Sequence, residues 1–264
     1  MERKLPVITI EGTDFIVDVE NMLLRELERK PNSISIFHMK EVEGGYQFIY
    51  DKLERNISIW STASEMHVVV DIPELVKLDP VGMSDKYGVP IGELGTKTDF
   101  ELMVDQEALK RRLGGELPTI EILGDIFFVD IENDRFRPVG DAQSDGISIT
   151  ELEQYYNGEK EAYVIPYNRE TRTVEKLSDD EISSIPVSMV AVRIPFELQL
   201  DPIGFHRRWY GKEESQFLKE YNVRLQFKAE VLSWEELGFK QQQKPAIKQD
   251  ENPAEKQKKR GRRL

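Results

Sequence analysis

Short runs of alternating apolar and polar residues, each closed by turn-forming residues, predict a chain built largely of β-hairpins. Val7-Ile-Thr-Ile10 and Phe15-Ile-Val-Asp-Val-Glu20 flank Glu11-Gly-Thr-Asp14, which has hairpin-turn chemistry. In Phe127-Phe-Val-Asp-Ile-Glu132 the period of two puts Phe127, Val129 and Ile131 on one face and Phe128, Asp130 and Glu132 on the other. Asn133-Asp134 then turns the chain into a third strand, Arg135-Phe-Arg-Pro-Val139. Ser148 and Glu151 stand three apart, as in a capping box, at the head of a helix expected to stop at Asn157-Gly158. Tyr46–Tyr50 with Ile57–Trp60, and Ala162–Tyr167 with Thr171–Glu175, predict second hairpins, and Pro166 predicts an edge position for its strand. Met66–Ile72 and Ser188–Ile194 read as buried strands. They lead to helices with Asp79 and Asp201 as N-caps, Pro80 and Pro202 at the first helical position, and Gly88 and Gly211 as stops. Phe100–Val104 and Val223–Phe227 are expected as strands, each followed by a short helix.

These elements recur in order. Leu5–Asn21 matches Leu117–Asn133 with ten of seventeen positions identical, and Ser33-Ile-Ser-Ile36 matches Gly146-Ile-Ser-Ile149. Ile72-Pro73 meets Ile194-Pro195, Leu78-Asp-Pro-Val-Gly82 meets Leu200-Asp-Pro-Ile-Gly204, and Tyr87-Gly88 meets Tyr210-Gly211. The offset grows from 112 to 123, which places insertions of the second copy in the loop compositions 138–146 and 178–184. The expectation is an α+β fold of two tandem copies of a mainly antiparallel β unit with short helices, spanning 1–115 and 116–239, followed by a disordered basic C-terminal tail, 240–264.

Composition sharpens this picture by exclusion. Of 264 residues, 39% are hydrophobic, and no apolar run approaches the roughly 18–20 residues of a membrane span, so no membrane partner is expected. The charged start Met1-Glu2-Arg3-Lys4-Leu5-Pro6 is unlike a signal peptide. Zero cysteines remove disulfides, thiolate catalysis and Cys-ligated metals, and with the preceding features favour a cytoplasmic location. The formal charge of −13 is unevenly spread: residues 240–264 hold nine Lys+Arg against three Asp+Glu, leaving −19 on residues 1–239. Almost without apolar side chains, the tail cannot offset its ordering entropy by burial. Its cluster Lys256, Lys258, Lys259, Arg260, Arg262 and Arg263 suits salt-sensitive contact with nucleic-acid backbone or an acidic partner. No aromatic residue follows Phe239 to stack on bases.

Candidate chemistry is sparse. His38, His67 and His206 have no metal-motif spacing, and phosphate-loop, dinucleotide, nucleophile-elbow and zinc-protease signatures are all missing, so no cofactor, metal or catalytic residue is assigned. Asp18 with Glu20, and Asp130 with Glu132, share a strand face and would serve a metal-dependent hydrolase or nuclease, although a wet strand face ending in an Asn turn predicts the same letters. His206, Arg207, Arg208 and Trp209 form a candidate ligand patch for an anionic or planar group, against the plainer reading of an amphipathic helix. Duplication without catalytic motifs favours a non-enzymatic interaction or adaptor protein with a protein partner. The alternatives are the carboxylate hydrolase and an acidic body that imitates nucleic acid to occupy a DNA-binding protein.

Overall fold

Hairpins account for most of the architecture. The computed structural model describes residues 3–58, 65–141, 143–177, 185–211 and 215–237. The tail cluster Lys256, Lys258, Lys259, Arg260, Arg262 and Arg263 lies outside them. An antiparallel meander orders β1 (Val7–Ile10), β2 (Thr13–Asp18), β3 (Leu23–Glu26) and β4 (Ser33–Ser35). A second sheet centres on β6 (Gly45–Asp51), with β5 (Lys40–Val42) and β7 (Asn56–Ile57) along one side and β8 (His67–Pro73) along the other.

The same order of pairings follows in the second half. Another meander runs β9 (Thr119–Ile122), β10 (Asp125–Asp130), β11 (Arg135–Pro138), β12 (Ile147–Ser148). The fourth sheet centres on β14 (Ala162–Asn168), with β13 (Tyr156–Asn157) and β15 (Thr173–Val174) on one side and β16 (Met189–Pro195) on the other. Two strands are added here: β17 (Gln226–Lys228) runs parallel to β9, and β18 (Glu230–Leu232) antiparallel to β16.

Local chemistry explains the repeated turns. Positive φ at Glu11 and Gly12, and at Leu123 and Gly124, gives the two-residue turns whose twist suits a hairpin. At the far end of β2, the buried Asp18 carboxylate accepts the backbone N–H of Asn21 at 3.1 Å and its side-chain amide at 2.9 Å, with Arg25 paired at 2.9 Å. Asp130 does the same with Asn133 and Arg137. The repeated Asp-x-Glu-Asn letters therefore build a turn around one buried carboxylate.

Among the described residues the α-helices are α1 (Leu75–Leu78), α2 (Pro80–Tyr87), α3 (Ile91–Leu94), α4 (Asp99–Met103), α5 (Gln106–Leu113), α6 (Ile149–Leu152), α7 (Glu197–Leu200), α8 (Pro202–Tyr210) and α9 (Ser215–Tyr221). Asp79 caps α2 by accepting the Gly82 N–H at 2.9 Å, and Gly88 and Gly211 end α2 and α8 in the left-handed conformation.

Several elements differ from the pattern-based expectation. The helix expected to run to Asn157-Gly158 ends in a 3-10 turn at Tyr155, and Tyr156–Asn157 pairs with β14 instead. Residues 99–103 form a helix, because Thr98 and Glu101 make a reciprocal capping box that outweighs the alternation of Phe100–Val104. β14 is central, yet Pro166 costs it no ladder bond to β16. The Pro166 carbonyl accepts from Glu175 on the opposite side, so its missing N–H faces the gap between β13 and β15. β16 is well buried, whereas β8 leaves Val69 65% exposed.

Three main apolar clusters hold these elements. One fills the first half around Phe15, Val17, Leu24 and Tyr50, and a second fills the other half around Phe127, Val129, Ile165 and Val192. The third joins α5 to α8 and α9 through Val104, Ala108, Ile203, Leu218, Val223 and Leu225. From α9, the buried Lys219 reaches Glu41 at 2.6 Å and the Tyr46 hydroxyl at 3.0 Å, and Tyr46 donates to Asp99 at 2.6 Å. No helix among the described residues is long and apolar enough to cross a membrane.

Candidate ligand-binding cleft

Aromatic and acidic side chains from β13, β14, α7 and α8 converge in one cleft. Tyr163 is an inward residue of β14, Phe196 follows β16, and Tyr156 opens β13. Helix α8 contributes Phe205 and Trp209, four apart and so on one face, with Tyr210 beside them. With Glu153 and Glu197 these side chains line a cleft of about 560 Å³.

The rings form a connected wall. Tyr156 and Phe196 have centroids 5.1 Å apart, Tyr163 and Phe196 5.9 Å, Phe196 and Phe205 5.8 Å, and Phe205 and Trp209 6.4 Å. Such tilted and edge contacts stabilise the wall beyond the area they bury. Tyr156, Trp209 and Tyr210 nonetheless remain 45%, 53% and 63% exposed. Glu197, which is buried, lines the cleft together with Tyr163. Burial pushes its carboxyl above the ordinary range, against the opposing pull of the Arg208 charge and the Tyr163 hydroxyl. Burial likewise raises the Tyr163 phenol, so that this hydroxyl stays protonated.

The structure separates the four residues of the sequence patch. His206 is buried behind the wall, its ring 5.1 Å from that of Tyr210 and 4.2 Å from that of Phe217. Arg207 lies 3.6 Å from Glu132. Arg208 donates to the Ile131 carbonyl at 2.9 Å, to Asp134 at 3.0 Å and to Thr150 at 3.2 Å, while its guanidinium sits 5.0 Å from the Trp209 ring centroid. Of the four, only Trp209 lines the cleft. The acidic groups lining the cleft are Glu153 and Glu197, and among the described residues no lysine or arginine lines it, which suits a cation and disfavours the anion expected from the two arginines. Tyr156, Tyr163, Phe196 and Glu197 escaped the sequence reading because they come from elements up to about fifty residues before the patch. The local signal was the Phe205-x-x-x-Trp209 spacing.

The paired carboxylates do not converge. Asp18 and Asp130 are committed to their Asn and Arg partners, Glu20 is exposed, and Glu132 lies 3.2 Å from Arg112. Among the described residues no group of three or more His, Asp or Glu side chains is placed to hold a metal ion. Comparison with family models, curated proteins and solved structures finds no match to this chain.

Proposed function

We propose that this is a non-enzymatic interaction protein whose second half captures a cationic side chain of a protein partner, a lysine, methylated lysine or arginine, in the aromatic cleft. One observation carries the reading: three exposed rings, Tyr156, Trp209 and Tyr210, share a concavity with Glu153 and Glu197. Aromatic faces attract cations by roughly 0.5–2 kcal/mol each, more as water is excluded, and a carboxylate adds charge complementarity. Contiguous exposed aromatics of this kind are uncommon on a surface that binds nothing. Arg208 acts as a positioning residue, its guanidinium held against the Trp209 ring by its bonds to Ile131, Asp134 and Thr150. The recurring strand pairings support two related modules, 1–115 and 116–239, and the cationic tail would add contact with nucleic-acid backbone or an acidic partner.

Calorimetric titration of the full chain with short peptides carrying lysine, trimethyllysine, arginine or neutral norleucine tests this. At least one cationic peptide should saturate while the norleucine peptide does not. Trp209→Ala should weaken that binding about 5- to 30-fold, the equivalent of one lost cation–ring contact. Equal binding of the norleucine peptide, or indifference to Trp209→Ala, would remove the proposal.

A further inference from the structure

In the second half one extended segment, residues 226–232, closes two sheet edges in succession. β17 lies along β9 with Phe227 opposite Ile120, Ala229 donates to the Glu121 carbonyl at 2.8 Å, and β18 lies along β16 with Glu230 opposite Arg193 and Leu232 opposite Ala191. Phe227 and Ala229 pack on the second core, and Ile120 and Val192 beneath them are wholly enclosed. Lys228 pairs with Glu121 and Glu230 with Arg193, so charge as well as backbone fixes the register.

The first half presents the same two edges, β1 and β8, which pair with β2 and β6 on their inner sides, and among the described residues no strand pairs with the outer side of either. After α4 the chain continues into α5 and leaves for the second half, with no counterpart of 226–232. The open polar groups can be identified. The Ile49 carbonyl accepts from Ser58, away from β8, so the pair Ile49 and Val69 is not bonded across the ladder, and the N–H and C=O of Val69 and Asp71 point outward. In β1 the two-residue turn bonds Ile10 to Thr13, so Val7 and Thr9 point outward, as Thr119 and Glu121 do in β9. The exposure coincides: Ile8 and Val70 are only half-buried where Ile120 and Val192 are fully buried, and Val69 is exposed where Ala191 is covered by Leu232.

We infer that the β1 and β8 edges of the first half form a docking site for an extended segment of a partner protein, seated as residues 226–232 are seated in the second half. Main-chain bonds supply the affinity of such strand addition, and side-chain positions supply its specificity. The site asks for a large apolar residue over Ile8, a small one two positions on, and then a basic residue opposite Asp71, where the second half sets Glu230 against Arg193. Thr9 replaces Glu121, so the lysine corresponding to Lys228 is not required. The inference is independent of the aromatic cleft.

The probe is a fluorescent heptapeptide, Gln-Phe-Gln-Ala-Lys-Val-Leu, with a twin carrying Glu in place of its Lys, titrated against the full chain by polarisation. Amide exchange with bound peptide should newly protect the outward amides of Thr9, Val69 and Asp71. The Lys peptide should bind about 2- to 5-fold more tightly than the Glu peptide, as expected of one exposed cross-strand charge pair, and Asp71→Lys should reverse that order. Val69→Pro, which removes an outward N–H without touching the ladder to β6, should weaken both peptides at least 5-fold. Absence of binding, protection confined to other segments, or a preference unmoved by Asp71→Lys would overturn the inference. So would protection of those outward amides before peptide is added: if concentration-dependent it assigns the edges to a second copy, and if not, to this chain itself.

Discussion

Arg112 and Asp201 offer the sharpest test of what holds the two halves together. Arg112 lies in the last turn of α5 and is 2% exposed; its Nε and Nη2 atoms meet the 1% exposed Asp201 carboxylate at 2.8–3.1 Å, and Nη2 also reaches Glu132 at 3.2 Å. Burial opposes the guanidinium charge, but Asp201 and Glu132 hold its pKa above the ordinary arginine value. Asp201 receives no amide from its own helix, so Arg112→Ala strands a buried carboxylate and opens a cavity. Breaking a buried pair from one side costs about 3–5 kcal/mol. At roughly 2–4 °C per kcal/mol for a chain of this size, Tm should fall by about 6–20 °C.

The first half supplies the control. Arg3 pairs with Asp79 at 2.7 Å, but its side chain is 34% exposed and Asp79 keeps the Gly82 amide, so water and one donor remain after Arg3→Ala. That loss should be about 1–3 kcal/mol. Urea unfolding followed by far-ultraviolet circular dichroism measures both, provided the slope with denaturant is unchanged. The pair Arg112→Met with Asp201→Asn should recover most of the deficit, since it removes both charges together. The reasoning fails if Arg112→Ala costs no more than Arg3→Ala, or if the paired replacement is as unstable as the single one.

Two further outcomes follow from the same geometry. Gly146 has φ +68°, and a Cβ there would stand 2.2 Å from the Phe136 carbonyl oxygen, whereas Gly12 at φ +79° has open space around it. Gly146→Ala should therefore destabilise by more than the roughly 1–2 kcal/mol of left-handed backbone strain expected for Gly12→Ala; equal melting curves would refute this. Glu197 titrates above the ordinary carboxylate range because it is buried, so the folded protein holds a proton that the unfolded chain releases. Its contribution to stability is full below the ordinary range and declines as pH rises through its raised value. Glu197→Gln should flatten that decline, and over the same interval native cation binding should strengthen with pH, which paired melts and titrations would reveal.

Much of the fold was legible because its causes are local. Glycine-bearing turns, Asp79 before Pro80, and Gly88 and Gly211 act within a few residues of themselves, and the alternation of Phe127, Val129 and Ile131 reports a buried face directly. Phe100–Val104 misled because its alternation is too short to decide between strand and helix, and Thr98 with Glu101 decided. The cleft was legible only at Trp209. Arg207 and Arg208 look from sequence like ligand cations, yet their charges are taken up by Glu132 and Asp134, more than seventy residues earlier in the chain.

Sequence alone determined the α+β class, the recurring order of hairpins and the starts and stops of α2 and α8, because propensity, capping and period-two burial are set by near neighbours. Tertiary structure alone decided which carboxylates stayed wet, which arginines stayed available, and which sheet edges were closed. Those outcomes depend on what packs alongside from distant parts of the chain: residues 226–232 seal β9 and β16, while β1 and β8 have no such neighbour among the described residues.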